Sequence, residues 1–150
     1  MSNRDQKTGS DPDPLLGFLF SLELDDVKIG YFTECSGVQV EYEVLEHAEG
    51  GQNDFVHKLR GRKKYPNLVL KRGITSSVAL QKWIFETKEW DQRGQVTVTM
   101  YSSDFQPVRK WAFANAFPVK WQGPSMKGGG NDVATETVEI AHRGLVPTVF

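Results

Sequence analysis

Metal binding could use His47, Asp54 and His57, which lie close together along the chain. Imidazole and carboxylate both ligate zinc, yet their spacing matches neither a helical histidine pair nor a zinc-site template. The stretch beside them, Glu49-Gly-Gly-Gln-Asn-Asp54, is loop chemistry, so the three read as solvated loop residues. Nucleophilic catalysis would need Cys35 or a serine beside a histidine and an orienting acid. Cys35 lies in Thr33-Glu-Cys-Ser-Gly37 at a strand end, where nothing lowers a thiol pKa, and it reads as structural. As the only cysteine it forms no intrachain disulfide, which fits a reducing cytoplasm. His142 falls in the last strand pattern, as a core or edge residue. Gly128-Gly129-Gly130 precedes a strand pattern instead of opening a helix, so it is no phosphate cradle. No catalytic, metal or cofactor site is expected, and the chain does not read as an enzyme.

The basic segment Lys58-Leu-Arg-Gly-Arg-Lys-Lys-Tyr65 offers a different chemistry. Bases beside an aromatic ring are what a backbone-tracking, base-stacking nucleic-acid site uses. The chain as a whole is slightly acidic, with a net charge of -1, unlike the basic footprint of such proteins. That near-neutrality hides opposed blocks. Residues 1–54 carry twelve acids against three bases, and residues 55–85 carry eight bases, Arg72 among them, and no acid. Such blocks can pair within one fold or between copies of the chain. The basic segment suits a charged interface to the acidic block of a neighbouring subunit better than it suits nucleic acid.

The elements that must position these groups follow from periodicity. The 150 residues make one domain, preceded by a polar arm over 1–14 that ends in Asp-Pro-Asp-Pro. That start lacks the apolar middle of a secretory signal, and no apolar run approaches the roughly 20 residues that span a bilayer. Phe18, Phe20, Leu22 and Leu24 alternate as a strand, Asp25-Asp26 turns, and Val27, Ile29 and Tyr31 resume, which predicts a hairpin. Val38, Val40, Tyr42 and Val44 alternate with Gln39, Glu41 and Glu43, which predicts a strand with one buried face. Residues 46–66 break the rhythm and read as a long functional loop. Another strand covers 67–71. Leu80, Trp83, Ile84 and Thr87 then fall on one helical stripe after a Ser76 or Ser77 cap, and that stripe reads as core packing. Strand patterns return at 96–100, 111–121 and 134–142. The expected class is α+β, mainly β: about seven strands, one helix after the fourth, and a curled antiparallel sheet, sandwich or open barrel.

Four segments in order resemble one family. Gly17-Phe-Leu-Phe-Ser-Leu-Glu-Leu-Asp25 followed by Ile29-Gly-Tyr-Phe-Thr-Glu-Cys-Ser-Gly37 is similar to the opening hairpin of the tail tube proteins of contractile phages and related injection systems. Val40-Glu-Tyr-Glu-Val-Leu-Glu-His-Ala-Glu-Gly50 resembles the family's Val-Glu-x-Glu-Val-Ile-Glu-x-x-Glu-Gly. Tyr65-Pro-Asn-Leu-Val-Leu-Lys-Arg-Gly73 is similar to its Lys-Tyr-x-x-Ile-Thr-Leu-Lys-Arg-Gly stretch, and Asn131-Asp-Val-Ala-Thr-Glu-Thr-Val-Glu-Ile-Ala-His142 to its late signature.

The resemblance covers about residues 15–146 and implies a tail tube domain over 15–150. It implies two packed antiparallel sheets in a barrel-like tube fold, with one flanking helix. It further implies hexameric rings stacked into a hollow inner tube that a contractile sheath drives through a target envelope. The implied partners are other copies of the chain, the sheath subunit, and baseplate and spike proteins, with cargo or DNA in the lumen. Assembly would begin in the cytoplasm. On this reading residues 38–49 and 54–65 are interface elements ordered mainly by neighbours. Their charged and aromatic residues are Glu41, Glu43, Glu46, Glu49, Asp54, Lys58, Arg60, Arg62, Lys63, Lys64 and Tyr65. A baseplate tube initiator or minor tube subunit is the alternative within the family. A monomeric nucleic-acid-binding module is the alternative outside it.

Overall fold

The computed structural model describes residues 18–47, 57–86, 94–125, 128–129 and 133–147. Among them are ten strands and one helix: β1 (Leu19–Leu24), β2 (Val27–Phe32), β3 (Glu34–Ser36), β4 (Glu41–His47), β5 (His57–Lys64), β6 (Leu68–Gly73), α1 (Ala79–Glu86), β7 (Gly94–Tyr101), β8 (Pro107–Gln122), β9 (Thr135–Ala141) and β10 (Gly144–Val146). The predicted arm over 1–14 lies outside the described residues.

The β1–β2 hairpin closes where expected. Asp25 and Asp26 both take positive φ, 46° and 68°, the backbone of the tight turn whose twist matches the flanking strands. Asp25 also ties the turn to the sheet. Its N–H donates to the Gln95 carbonyl at 3.0 Å, and its Oδ1 accepts from the Gln95 N–H at 3.0 Å.

Antiparallel pairing runs in the order β2-β1-β7-β8-β9-β6-β3, with β10 also on β8. The 16-residue β8 is the joint. Its first part pairs with β7 and its last part with β9. Just before the change of partner Asn115 sits at φ 50°, inside a register shift against β7. A bulge of this kind lets one strand leave one sheet and enter the next. The two halves fold over a shared core. Leu22, Val96, Val98 and Phe113 come from one half and Leu68, Leu70, Val138 and Ile140 from the other, all fully buried. The result is two packed antiparallel sheets with one flanking helix.

Helix α1 starts as the sequence predicts. Ser77 Oγ accepts from the Ala79 N–H at 3.5 Å, and Lys82 N–H to Val78 carbonyl follows at 2.9 Å, so Ser77 is the cap. Leu80 and Trp83 are buried and Ile84 packs on the same core, which makes the stripe core packing. Thr87 lies outside the described residues.

Three expectations are corrected. The helix follows the sixth strand instead of the fourth, because β3 and β5 intervene. The basic part of the expected loop over 46–66 is strand β5. The strand predicted from Val38 begins at Glu41, and its apolar stripe is only partly covered: Val38, ahead of the strand, packs on the core, while Val40 and Val44 are exposed. The last two share one physical reason. β4 and β5 form a separate two-stranded sheet, and no second layer among the described residues covers it.

A charged two-stranded ribbon as candidate interaction surface

β4 brings the acids and β5 the bases, and the two strands face each other residue by residue. Glu41 stands opposite Lys64, Tyr42 opposite Lys63, Val44 opposite Arg60, Leu45 opposite Leu59, Glu46 opposite Lys58, and His47 opposite His57. Gly61 and Arg62 of β5 therefore share one partner, Glu43, in a bulge between Tyr42 and Val44. Glycine is required at position 61. A Cβ there would lie 2.9 Å from the Glu43 Cβ and 3.0 Å from its carbonyl oxygen.

Because partners across an antiparallel pair share a face, the ribbon has two distinct surfaces. One carries Glu41, Glu43 and Lys64, then the Leu45–Leu59 pair, then His47 and His57. Lys64 Nζ bonds Glu43 Oε1 at 3.0 Å, and that hydrogen bond, with the Glu43 charge, holds the ammonium above its ordinary range. Leu45 and Leu59 are each 53% exposed. The other surface carries Tyr42, Val44 and Glu46 against Lys63, Arg60 and Lys58. The Arg60 guanidinium lies 4.1 Å from the centre of the Tyr42 ring and Lys63 Nζ 5.6 Å from it, a stacked cation–π arrangement. An open cavity of about 420 Å³ runs along β4, lined by Glu41, Tyr42, Glu43, Val44, Leu45 and Lys64.

The structure thus brings together Glu41, Glu43, Glu46, Lys58, Arg60, Arg62, Lys63 and Lys64. Their first neighbours are in the same ribbon, so part of the opposed charge is paired inside one chain. Five bases against three acids leave the ribbon with a surplus of positive charge. Glu49 and Asp54 lie outside the described residues. Tyr65 belongs elsewhere: it sits at the foot of the ribbon, 5.7 Å from the His142 ring and against Gly144, where a Cβ would come within 2.8 Å of the tyrosine. His142 Nε2 lies 3.1 Å from the Pro66 carbonyl and its ring stacks edge-on against Phe113 at 4.6 Å. Burial pulls its pKa below the ordinary value, against the opposing pull of that Pro66 hydrogen bond. This cluster anchors the end of β5 to the body, and it leaves the basic side chains of β5 without Tyr65 as a stacking partner.

Arg72 belongs to the basic block in sequence, and its place in the fold is different. Arg72 and Glu136 are each 4% exposed, and Nε donates to Glu136 Oε1 at 2.5 Å. Trp121 Nε1 donates to Glu136 Oε2 at 3.2 Å, and the guanidinium lies 4.9 Å from the Phe32 ring centre. The only sequence signals for this pair are the Lys-Arg-Gly and Thr-Glu-Thr-Val segments, with no hint that they meet.

Elsewhere, burial pushes the Cys35 thiol up to about 11, the opposite of what a thiolate nucleophile needs. His47 and His57 stand on paired strands, which corrects their placement on a loop. Among the described residues no group of three or more His, Cys, Asp or Glu is arranged to hold a metal, and no helix is long and apolar enough to cross a membrane.

Comparison with known proteins places this architecture. The T4-like virus tail tube protein gp19 family matches residues 16–146. A chain in the cryo-EM structure of the anti-feeding prophage (AFP) baseplate is 28% identical, with a TM-score of 0.72, over 92% of this chain and 96% of that one. A chain in the sheath-tube complex of an extracellular contractile injection system, PVC, is 23% identical with a TM-score of 0.75, over 90% and 91%. One in the AFP tube-terminating cap is 20% identical with a TM-score of 0.77, over 97% of each chain. The last two likenesses speak to the fold. No curated protein matches the chain in sequence.

Proposed function

The chain belongs to the T4-like virus tail tube protein family, and from that membership we propose that it is a structural subunit of the hollow inner tube of a contractile injection system or phage tail. Copies form hexameric rings over residues 15–150, the rings stack, and a contractile sheath drives the tube through a target envelope. Partners are other copies of the chain, the sheath subunit and the baseplate.

The observation that carries the assembly reading is the β4–β5 ribbon. It has a charged and aromatic face and an exposed Leu45–Leu59 pair, and no other strand among the described residues pairs with its edges. Unpaired strand edges and uncovered apolar pairs are liabilities in a monomer and are resolved when a neighbour covers them. The surplus of positive charge selects an acidic surface on the neighbouring subunit. Electron microscopy of the concentrated protein tests this reading, with sixfold rings or hollow rods expected. Monomers at all concentrations, with or without a baseplate nucleus, would sink it.

One observation favours a second reading, a baseplate tube initiator. The 28% identical chain is part of a baseplate structure. Growth separates the two: a main tube subunit elongates into rods on a baseplate nucleus, and an initiator stops at a single ring.

A further inference from the structure

We propose that Asp11-Pro-Asp-Pro14 of the N-terminal arm docks on a three-ring aromatic face of its own chain, formed by Tyr31, Tyr101 and Phe105. The ring centres lie 6.2 Å (Tyr31–Tyr101), 6.0 Å (Tyr31–Phe105) and 5.9 Å (Tyr101–Phe105) apart. Tyr31 and Tyr101 come from the two strands that flank β1, and Ser21 of β1, opposite Tyr31, is wholly buried. Ser21 Oγ donates to the Tyr101 hydroxyl at 3.3 Å. Phe105 comes from the β7–β8 turn and is 58% exposed. Its backbone is held there against preference, at φ 62°, in a region that bulky residues rarely adopt. Such a conformation persists only where its surroundings over-determine it. Here the Phe105 N–H donates to the Ser102 carbonyl at 3.0 Å, the Ser102 N–H to the Gln106 carbonyl at 2.9 Å, and two tyrosines flank the ring.

The occupant follows from where the arm joins the fold. β1 opens at Leu19, directly opposite Tyr101, so the chain ahead of it issues beside the rings. Pro14 is five residues from Leu19, a reach of at most about 18 Å. Proline fixes φ, and the residue before it is driven to extended backbone. Asp-Pro-Asp-Pro is therefore pre-set to the polyproline conformation that aromatic-lined grooves bind at low entropic cost. Lys28 supplies a charge for the aspartates. Its ammonium lies 4.7 Å from the Tyr31 ring centre and donates to the Tyr31 hydroxyl at 2.8 Å, one of three donors it carries. Glu23 stands opposite Lys28, and Asp104 precedes Phe105, so contact of the prolines with the rings carries the docking and the lysine orients it. The inference needs one chain only and stands apart from the tube reading.

The test is native-state digestion of the dilute full chain with a protease that cuts before aspartate, following the cuts at Asp11 and Asp13 by mass spectrometry. Cleavage tracks the population of the undocked arm. Phe105→Asn is expected to speed both cuts about two- to tenfold, the range for the loss of one aromatic contact. Phe105→Tyr should keep the parent rate. Asparagine accepts positive φ and the position is exposed, so the variant folds. The second readout is nuclear Overhauser contacts from Pro12 and Pro14 to the Tyr31 and Phe105 rings, expected in the parent and lost in the Pro12→Ser/Pro14→Ser double variant. Equal cleavage of the parent and Phe105→Asn, or the absence of those contacts, overturns the docking. Contacts that fade on dilution would put a neighbouring copy's arm on the face and overturn the same-chain assignment.

Discussion

Arg72 and Glu136 face each other directly across β6 and β9 and close a 2.5 Å ion pair in which both side chains are almost wholly shielded from water. The pair is placed where the two halves of the molecule meet. Arg72 lies over Phe32 of β2, and Glu136 takes the indole N–H of Trp121 in β8. Four strands thus converge on one buried charge pair. Gly30 makes room for it, since a Cβ there would come within 2.3 Å of Arg72 Nη1.

Removing one partner strands the other charge in the interior. Glu136→Ala is expected to destabilise the chain by about 3–5 kcal/mol, the usual cost of an uncompensated buried charge. A double replacement, Arg72→Met with Glu136→Leu, is expected to recover most of that loss. Urea denaturation of the two variants checks both expectations, and equal stability of single and double variants would contradict the account.

Charge reversal on β5 separates assembly from folding. Arg60→Glu, Arg62→Glu and Lys63→Glu together turn a surplus of two positive charges on the ribbon into one of four negative charges. Arg60 and Lys63 lose their contacts with the Tyr42 ring, about 0.5–1 kcal/mol each at exposed sites, but all three positions lie outside the core, so the monomer should still fold. Ring formation should be lost. Rings of normal appearance in the triple variant would show that the ribbon is no interface.

His142 carries a pH dependence of definite sign. Burial depresses its folded pKa below the ordinary value of 6.5, so the unfolded chain binds the extra proton first as pH falls. Its contribution to stability is present above about pH 6.5 and is lost as pH drops from there through the folded value. In His142→Asn, measured by denaturation at several pH values between about 7.5 and 5.5, the fall in stability should be shallower than in the parent. Parallel curves would assign the pH dependence to other groups.

Cys35 should be sluggish. With its thiol pushed up to about 11 from an ordinary 9.0, the thiolate fraction at pH 8 falls on the order of a hundredfold. A chromogenic thiol reagent should label the native chain slowly and the urea-unfolded chain quickly. Equal rates would mean that Cys35 is open to solvent.

Much of this fold is legible along the chain because the relevant physics is local. Alternation at Phe20, Leu22 and Leu24 sets β1, two aspartates tolerant of positive φ set its turn, and Ser77 ahead of Leu80 and Trp83 sets the helix. The segments resembling tail tube proteins set the family. The basic run over 58–64 misleads, since Lys58, Arg60 and Arg62 give a strand no apolar alternation when neither face meets this chain's core.

What the sequence determined by itself is therefore everything a segment settles with its near neighbours: strands with a buried face, a capped helix, a turn, and the opposed charge blocks. Only the tertiary structure decided which distant segments meet. It paired the acids of β4 with the bases of β5, withdrew Arg72 from the surface to Glu136, and set His47 beside His57. Sheet register joins residues far apart in sequence through backbone hydrogen bonds that carry no residue code, so such meetings are properties of the fold as a whole.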